Sequence, residues 1–437
     1  MTNTKFHLGY FTKFGKPAWA LDAQKSIGSN WFDGSYHVQL AKKLEAAKLD
    51  FILFEDTTVV ADKFGESMEL DLKHAVLAPK HDPLPLMPLM AYETSNIGLI
   101  STASTTFYEP FVLARLFSTL DSLTGGRVGW NIVTSSEVNA AKNIGLDALP
   151  PHAERYAIAD EYVELAVKLW ESWEEGALVA DEETGVYVDH TKVHTVDHVG
   201  KYFKSRGPLN TLRSPQVTPF LSQAGASDRG RSFAAKNAEM VIGLTAGGLD
   251  GMKELRKDIR GRAESFGRNP DDIKIIYLAN GLEFAGSEPE VDEATKARME
   301  QASFEYAITM GASTMDVDFS KYDLDGPMDQ TMTAGGHTSA LDFVKQAGAQ
   351  GATLRQVFSS GMKAEGGLDL TGTPEEIAEK MADAMNEVGG DGFLLEGGDL
   401  AASIDVITGE LVPALQRLGV VRSEYSGRTL RDNMLEF

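Results

Sequence analysis

The chain has 437 residues, no cysteine and a formal net charge of −23, from 41 Lys and Arg against 64 Asp and Glu. Without cysteine there is no disulfide, no thiolate-held zinc or iron–sulfur cluster and no thiol nucleophile. So acidic a chain argues against a general phosphate-backbone binder, and an anionic small molecule would need a local basic pocket to overcome the overall field.

No stretch approaches the roughly 18 consecutive apolar residues of a membrane span. The opening residues lack the apolar run of a secretory signal, so a soluble, cytoplasmic protein is expected. Short apolar runs then alternate with amphipathic ones. In chain order, strands are predicted at 6–10, 51–54, 97–102, 128–133, 219–223, 240–244, 273–279 and 392–395, apolar on both faces as in a parallel sheet covered by helices. Helices are predicted at 36–47, 110–123, 153–170, 229–238, 249–266, 374–388 and 401–418. Pro110 at the first turn and Gly125-Gly126 past the last supply a start and a stop. Thr373-Pro374-Glu375-Glu376 reads as an N-cap, a proline at the first helical position and acids against the helix dipole.

Eight β–α units in succession favour an α/β fold of the (β/α)8 TIM-barrel type over a doubly wound open sheet. Two intervals are too long for plain units. One is 134–218 after strand 4, whose β-branched stretch 186–203 looks like a hairpin. The other is 280–391 after strand 7, with helices at about 288–308 and 338–347. Neither is bordered by a linker-like tract, so both read as insertions on one domain spanning 1–437. The second is expected to form a lid or an oligomer interface, with the Gly-rich pieces 326–336 and 361–367 as hinges.

Polar residues gather just after strand ends, where a barrel keeps its chemistry: Asp56; Thr102, Ser104, Thr105 and Thr106; Thr134, Ser135 and Ser136; and Gly225, Ala226 and Ser227. In 223–231, Gly225 permits close backbone approach and Ser227 is a good N-cap. The helix it opens reads either as a phosphate seat or as an ordinary capped helix. There is no Walker loop and no G-x-G-x-x-G. His152 and Tyr156 share a helix face and could bond a phosphate or ribityl chain, or cap the loop as a half-buried pair. His190, His194 and His198 suggest a zinc site by spacing alone. Their strand-like surroundings and the lack of an H-E-x-x-H frame favour a polar hairpin face, and no metal is expected. Glu174, Glu175, Glu182 and Glu183 read as a solvated face. The Met-rich segment 82–90 reads as helix entry and core. Tyr10, Phe11, Phe14, Trp19, Trp31 and Phe32 crowd the first-strand rim and could wall an apolar cavity over a planar ring.

Certain runs carry a more specific signal. They are Leu120-Asp121-Ser122-Leu123-Thr124-Gly125-Gly126-Arg127-Val128-Gly129-Trp130-Asn131 continuing to Ser135, Ala141-Lys142-Asn143-Ile144-Gly145, His152-Ala153-Glu154-Arg155-Tyr156, Gly207-Pro208-Leu209, Ser214-Pro215-Gln216 and Gln223-Ala224-Gly225-Ala226-Ser227. With these the chain resembles the bacterial-luciferase-like flavin monooxygenases. Within them it resembles the branch of nitrilotriacetate, dibenzothiophene-sulfone and long-chain alkane monooxygenases. The resemblance runs from about residue 6 to the C-terminus and is weakest across 286–366.

It implies a TIM barrel that takes reduced FMN from a separate NAD(P)H-dependent flavin reductase. With O2 such an enzyme forms a flavin C4a-hydroperoxide and oxygenates a small organic substrate, commonly as a homodimer or homotetramer. Carried over by position, Asp56, Thr102, Ser135, His152, Tyr156 and Ser227 match flavin-contacting places. Tyr156 and Ser227 would hold the phosphate, and Asp56, Thr102 and Ser135 would line the ring and ribityl region. Thr102, Ser135 or Ser136 would bond the flavin's developing charge, with Ser136 and Thr102 as the catalytic candidates. The alkane branch has histidine where this chain has Ser136, which argues against an alkane and is compatible with the sulfone and aminopolycarboxylate branches without selecting either, so the expected substrate is a sulfone, an aminopolycarboxylate or a related xenobiotic. For a polycarboxylate, Lys13 and rim arginines are candidates to neutralise it. The rival readings are a deazaflavin-dependent hydride-transfer oxidoreductase on the same barrel and a flavin carrier without turnover.

Overall fold

The computed structural model describes residues 4–16, 31–245, 247–279, 282–285, 291–360, 367–396 and 401–437. Eight parallel strands close a barrel: β1 His7–Lys13, β2 Phe51–Glu55, β3 Gly98–Ser104, β4 Val128–Val133, β5 Phe220–Gln223, β6 Met240–Leu244, β7 Lys274–Ala279 and β8 Gly392–Leu395. These are the eight predicted strands, three of them with the same bounds. Their two-sided apolar character has a direct cause. Phe51, Leu53, Ile100, Phe220, Met240, Ile276 and Leu394 fill the barrel, while the alternate residues Leu8, Tyr10, Ile52, Phe54 and Leu99 pack outward under the helices.

The helices follow the prediction except at 401–418. There Ala401–Val406 passes through a π-helical turn, Ile407–Leu411, into Val412–Leu418. Pro413 has no N–H to continue the regular ladder, which accounts for the widened turn. Among the described residues no helix is long and apolar enough to cross a membrane.

Three features depart from the sequence reading. The stretch 186–203 is not one hairpin but contributes to two small ribbons. Val186–Val188 pairs with Leu178–Asp181, and His198–Val199 with Lys204–Ser205. Between them Asp189 caps a 3-10 turn at His190–Lys192, and Asp197 takes a left-handed φ of 44°. The three histidines therefore do not share a face. His194 lies 2.6 Å from Glu174, and His198 lies 3.3 Å from Glu161.

Second, 56–85 is a further long excursion, between β2 and the helix Leu86–Glu93, and it contains the helix Glu69–His74. The insertion after β7 rests on it. Lys73 and His74 reach Glu305 at 2.6 and 2.5 Å, Lys63 meets Asp316 at 2.7 Å, and Asp318 accepts from the Gly65 N–H at 2.9 Å. The insertion has its own apolar core around Phe304, Ile308, Met315, Phe319, Leu341 and Phe358. Two of the expected hinge glycines are points of close packing. A Cβ on Gly335 would lie 2.1 Å from Asp316 Oδ2, and one on Gly336 would lie 2.3 Å from the Thr314 carbonyl oxygen. Positions 361–366 and Trp19 lie outside the described residues.

Third, the C-terminal helix Leu430–Met434 plugs the end of the barrel where the strands begin, placing Leu430 and Met434 in the interior cluster. Gly98 is glycine for this reason, since a Cβ there would lie 2.3 Å from Leu430 Cδ1.

Candidate active site

The four strands whose ends carry the predicted polar residues, β2 to β5, are consecutive in the barrel, so their loops share one side of the open rim. At the end of β2, Glu55 accepts from Lys80 Nζ through both carboxylate oxygens at 2.8 Å, and the lysine side chain is only 3% exposed. Asp56 stands beside this pair. Burial pushes its carboxyl up to about 7; Lys80 acts against the rise, while Asp82 and Glu55 reinforce it. Burial likewise pushes the Tyr108 phenol up to about 12, with Asp82, Asp56 and a hydrogen bond to Asp82 adding to it.

Inside the mouth, Asn131 Nδ2 donates to Thr102 Oγ1 at 2.8 Å. The period of two along β3 and β4 turns both residues inward. Asn131 Oδ1 is buried and has no hydrogen-bond partner among the described residues. Next to it Ser104 and Ser135 share a hydrogen bond of 2.7 Å. Ser135 has a φ of 55°, a left-handed backbone that a serine adopts only under local constraint. Ser136 folds back on its neighbour, its N–H and Oγ 3.2 and 3.1 Å from the two carboxylate oxygens of Glu137.

The second half of the rim forms around two helix starts. Ser227 caps Asp228–Asn237, its Oγ accepting from the Gly230 N–H at 3.1 Å, as its residue type and position predict. The helix His152–Trp170 brings His152 and Tyr156 to one face with ring centroids 5.1 Å apart. His152 Nε2 lies 3.5 Å from Ser227 Oγ. Partial burial, then Arg155, His337 and Arg229, hold the His152 pKa below the ordinary histidine value. A Cβ on Gly230 would lie 2.7 Å from the Tyr156 hydroxyl and 3.1 Å from Ser227 Oγ, and one on Gly225 would lie 2.6 Å from Gln223 Oε1. Both glycines are therefore required where backbone, phenol and serine converge on a helix N-terminus.

Of the predicted site residues, His152, Tyr156 and Ser227 come together here. Thr102 and Ser135 lie on the neighbouring β3 and β4 side, and Asp56 lies at the end of β2. Lys13 is occupied elsewhere: its Nζ donates to the Ala75 and Val76 carbonyls at 3.4 and 3.1 Å, tying down the β2 excursion. An apolar cluster of Val59, Ala61, Val76, Leu77 and Ala140 lies among these loops, with Phe107 and, from the insertion, Tyr306 and Met310 packed on it.

Sequence reasoning gave no role to Asn131, Gly230 and Arg155. An inward-facing amide in a buried strand and a glycine inside a helix were signals for the first two. Arg155 had no such signal, because its distinction is the absence of a partner.

The profile of the Luciferase-like monooxygenase family matches residues 6–392. The chain is 34% identical over 418 residues to nitrilotriacetate monooxygenase component A of Aminobacter aminovorans, across 92% of this chain and 90% of that protein. It is 32% identical over 458 residues to dibenzothiophene-sulfone monooxygenase of Rhodococcus erythropolis strain XP, across 98% and 96%. A crystal structure of a riboflavin lyase with modified FMN and riboflavin matches with a TM-score of 0.85 at 30% identity, over 99% of this chain and 96% of that one. The chain belongs to the luciferase-like monooxygenase family and is an enzyme of that kind.

Proposed function

We propose that this luciferase-like monooxygenase is the oxygenase of a two-component system. It takes reduced FMN from a separate NAD(P)H-dependent flavin reductase and uses O2 to oxygenate a small organic substrate such as a sulfone or an aminopolycarboxylate. The observation that carries this reading is the cradle at Gly230. At the start of the Asp228–Asn237 helix a phenol and a serine hydroxyl converge on a position that a single methyl group on Gly230 would fill. Such a set suits a phosphate through hydrogen bonds and the helix dipole, without an abundance of cations. The riboflavin lyase relative, solved with a modified FMN, supports flavin as the owner of that phosphate.

Bound flavin supplies the oxygen chemistry; the chain binds, orients and excludes water. Ser227, Tyr156 and His152 hold the phosphate end. Asn131 Oδ1 offers the ring end an acceptor that no other described residue uses, and Thr102 and Ser135 line the same mouth. Asp56, partly protonated near neutral pH, holds a proton at the rim. The apolar cluster around Val76 and Leu77 keeps water from the reacting centre.

The test is an anaerobic titration of reduced FMN, riboflavin and reduced deazaflavin against the wild type and a Tyr156→Phe, Ser227→Ala double variant. Wild type should prefer FMN. The double variant should lose about tenfold or more of that affinity, as expected when hydrogen bonds to a charged group are removed. An unchanged FMN Kd in the double variant, or a preference for deazaflavin, would refute the reading. Oxygen uptake without an oxygenated product across a panel of sulfones and aminopolycarboxylates would indicate a carrier instead.

A further inference from the structure

Arg155 is 7% exposed, and its Nε has no hydrogen-bond partner. Among the described residues its side chain forms no hydrogen bond and no ion pair. The other two arginines that are buried among the described residues are fully engaged: Arg127 donates to Ala91, Thr94, Ile97 and Thr124, and Arg422 to Asp50, Asn433 and Glu436. A buried cation without a counter-ion is costly unless something supplies the missing charge.

Arg155 lines a cavity of about 310 Å³ between the loop after β4 and the insertion after β7, with Pro150, His152, Ala334, Gly335 and Thr338 among its other walls. The cavity is also lined by the start of the 12-residue helix Thr338–Ala349, whose N-cap residue His337 provides no side-chain cap. Among the described residues no side chain caps its first-turn N–H groups or its positive dipole end, and Thr338, its first residue, lines the same cavity as Arg155. Glu137 acts on Arg155 electrostatically, but the two form no ion pair, and Glu137 is already bonded by Ser136. In a chain of net charge −23, this is a local basic pocket of the kind an anionic ligand needs.

We propose that Arg155 and the open start of the Thr338–Ala349 helix hold an oxyanionic group (a carboxylate, sulfonate or phosphate) of a ligand seated between the β4 loop and the insertion. His152 belongs both to this cavity and to the phosphate cradle, so the two sites adjoin. The proposal rests on the flavin-monooxygenase reading for the role of the ligand and deepens it: the oxyanion is the acid group of the organic substrate or the phosphate of the flavin. Arg155 is a binding residue in either case.

Calorimetric titration of the full chain separates the sources, with nitrilotriacetate (no flavin present), FMN and riboflavin as probes. An acid group on the substrate predicts that Arg155→Gln weakens nitrilotriacetate about tenfold or more while leaving the FMN-to-riboflavin preference intact. A flavin phosphate predicts that FMN falls to the affinity of riboflavin while nitrilotriacetate is unaffected. In both cases Arg155→Lys recovers part of the loss. Ala334→Asp, which leaves Arg155 in place and gives it an internal counter-ion, reproduces the loss even if Arg155→Gln folds poorly. Probe affinities that are unchanged in Arg155→Gln and Ala334→Asp, both folded by circular dichroism, overturn the proposal. That result is distinct from failure of the flavin reading, which is decided by Tyr156 and Ser227.

Discussion

At the end of the barrel where the strands begin, Arg422 and Asp50 meet at 2.7 Å with both side chains 2% exposed. Burial alone would raise the Asp50 pKa, but His7, Arg422 and the Leu8 N–H together outweigh it and leave it lowered. Around them Arg431 binds Glu239 and the Thr218 carbonyl, and Asp121 accepts from the backbone and side chain of Gln216. At the other end, Asn131 Oδ1, Gln223 Oε1 and Arg155 Nε are buried with no hydrogen-bond partner among the described residues, and Asp56 resists ionisation. The same kinds of side chain are used at both ends. Where they satisfy one another they lock the C-terminal tail into the barrel floor; where they are left unsatisfied they are the groups to which the proposals above give ligands.

The comparison can be broken hardest at the floor. Arg422→Ala leaves Asp50 as a buried, partly uncompensated charge and should cost about 3–5 kcal/mol in urea unfolding. A loss below about 1 kcal/mol would show that the tail is not held by this network. The rim should answer in the opposite currency, affinity. Gly230→Ala crowds the Tyr156 hydroxyl, yet gains up to about 1 kcal/mol of helix propensity. Folding stability should therefore move little while the Kd for reduced FMN rises about tenfold or more. Equal FMN binding would mean the cradle is not where the anion sits.

The smallest effect is on pH dependence. The folded-state pKa of Asp56 is about 7, above the ordinary aspartate value, so the folded state holds that proton more tightly than the unfolded one. Its contribution is fully present below about pH 4 and is lost as pH rises through 7. Asp56→Asn should flatten the decline in Tm between pH 5 and pH 8. An identical decline in the variant would place the titration elsewhere.

The first of the runs that carry the resemblance, 120–131, serves mostly the floor and not the chemistry. Asp121 holds Gln216, Arg127 pins the carbonyls of Ala91, Thr94 and Ile97, and only Asn131 reaches the mouth. Resemblance to relatives therefore pointed to the right fold through residues whose work is structural. It named Tyr156 and Ser227 through positions that meet at the rim.

The residue pattern alone was enough to announce eight strands, because a strand covered on both faces must be apolar at every position. It announced the Ser227 cap and the His152–Tyr156 face as well, since each depends on neighbours three or four residues away. The chain order could not show that His152 would stand 3.5 Å from Ser227 across 75 positions, that Leu430 would stopper the barrel, or that the Arg155 side chain would be buried with no partner among the described residues. Those facts follow from closure of the ring and from which long-range contacts it permits. A side chain left without a partner can be recognised only when every other group has been placed.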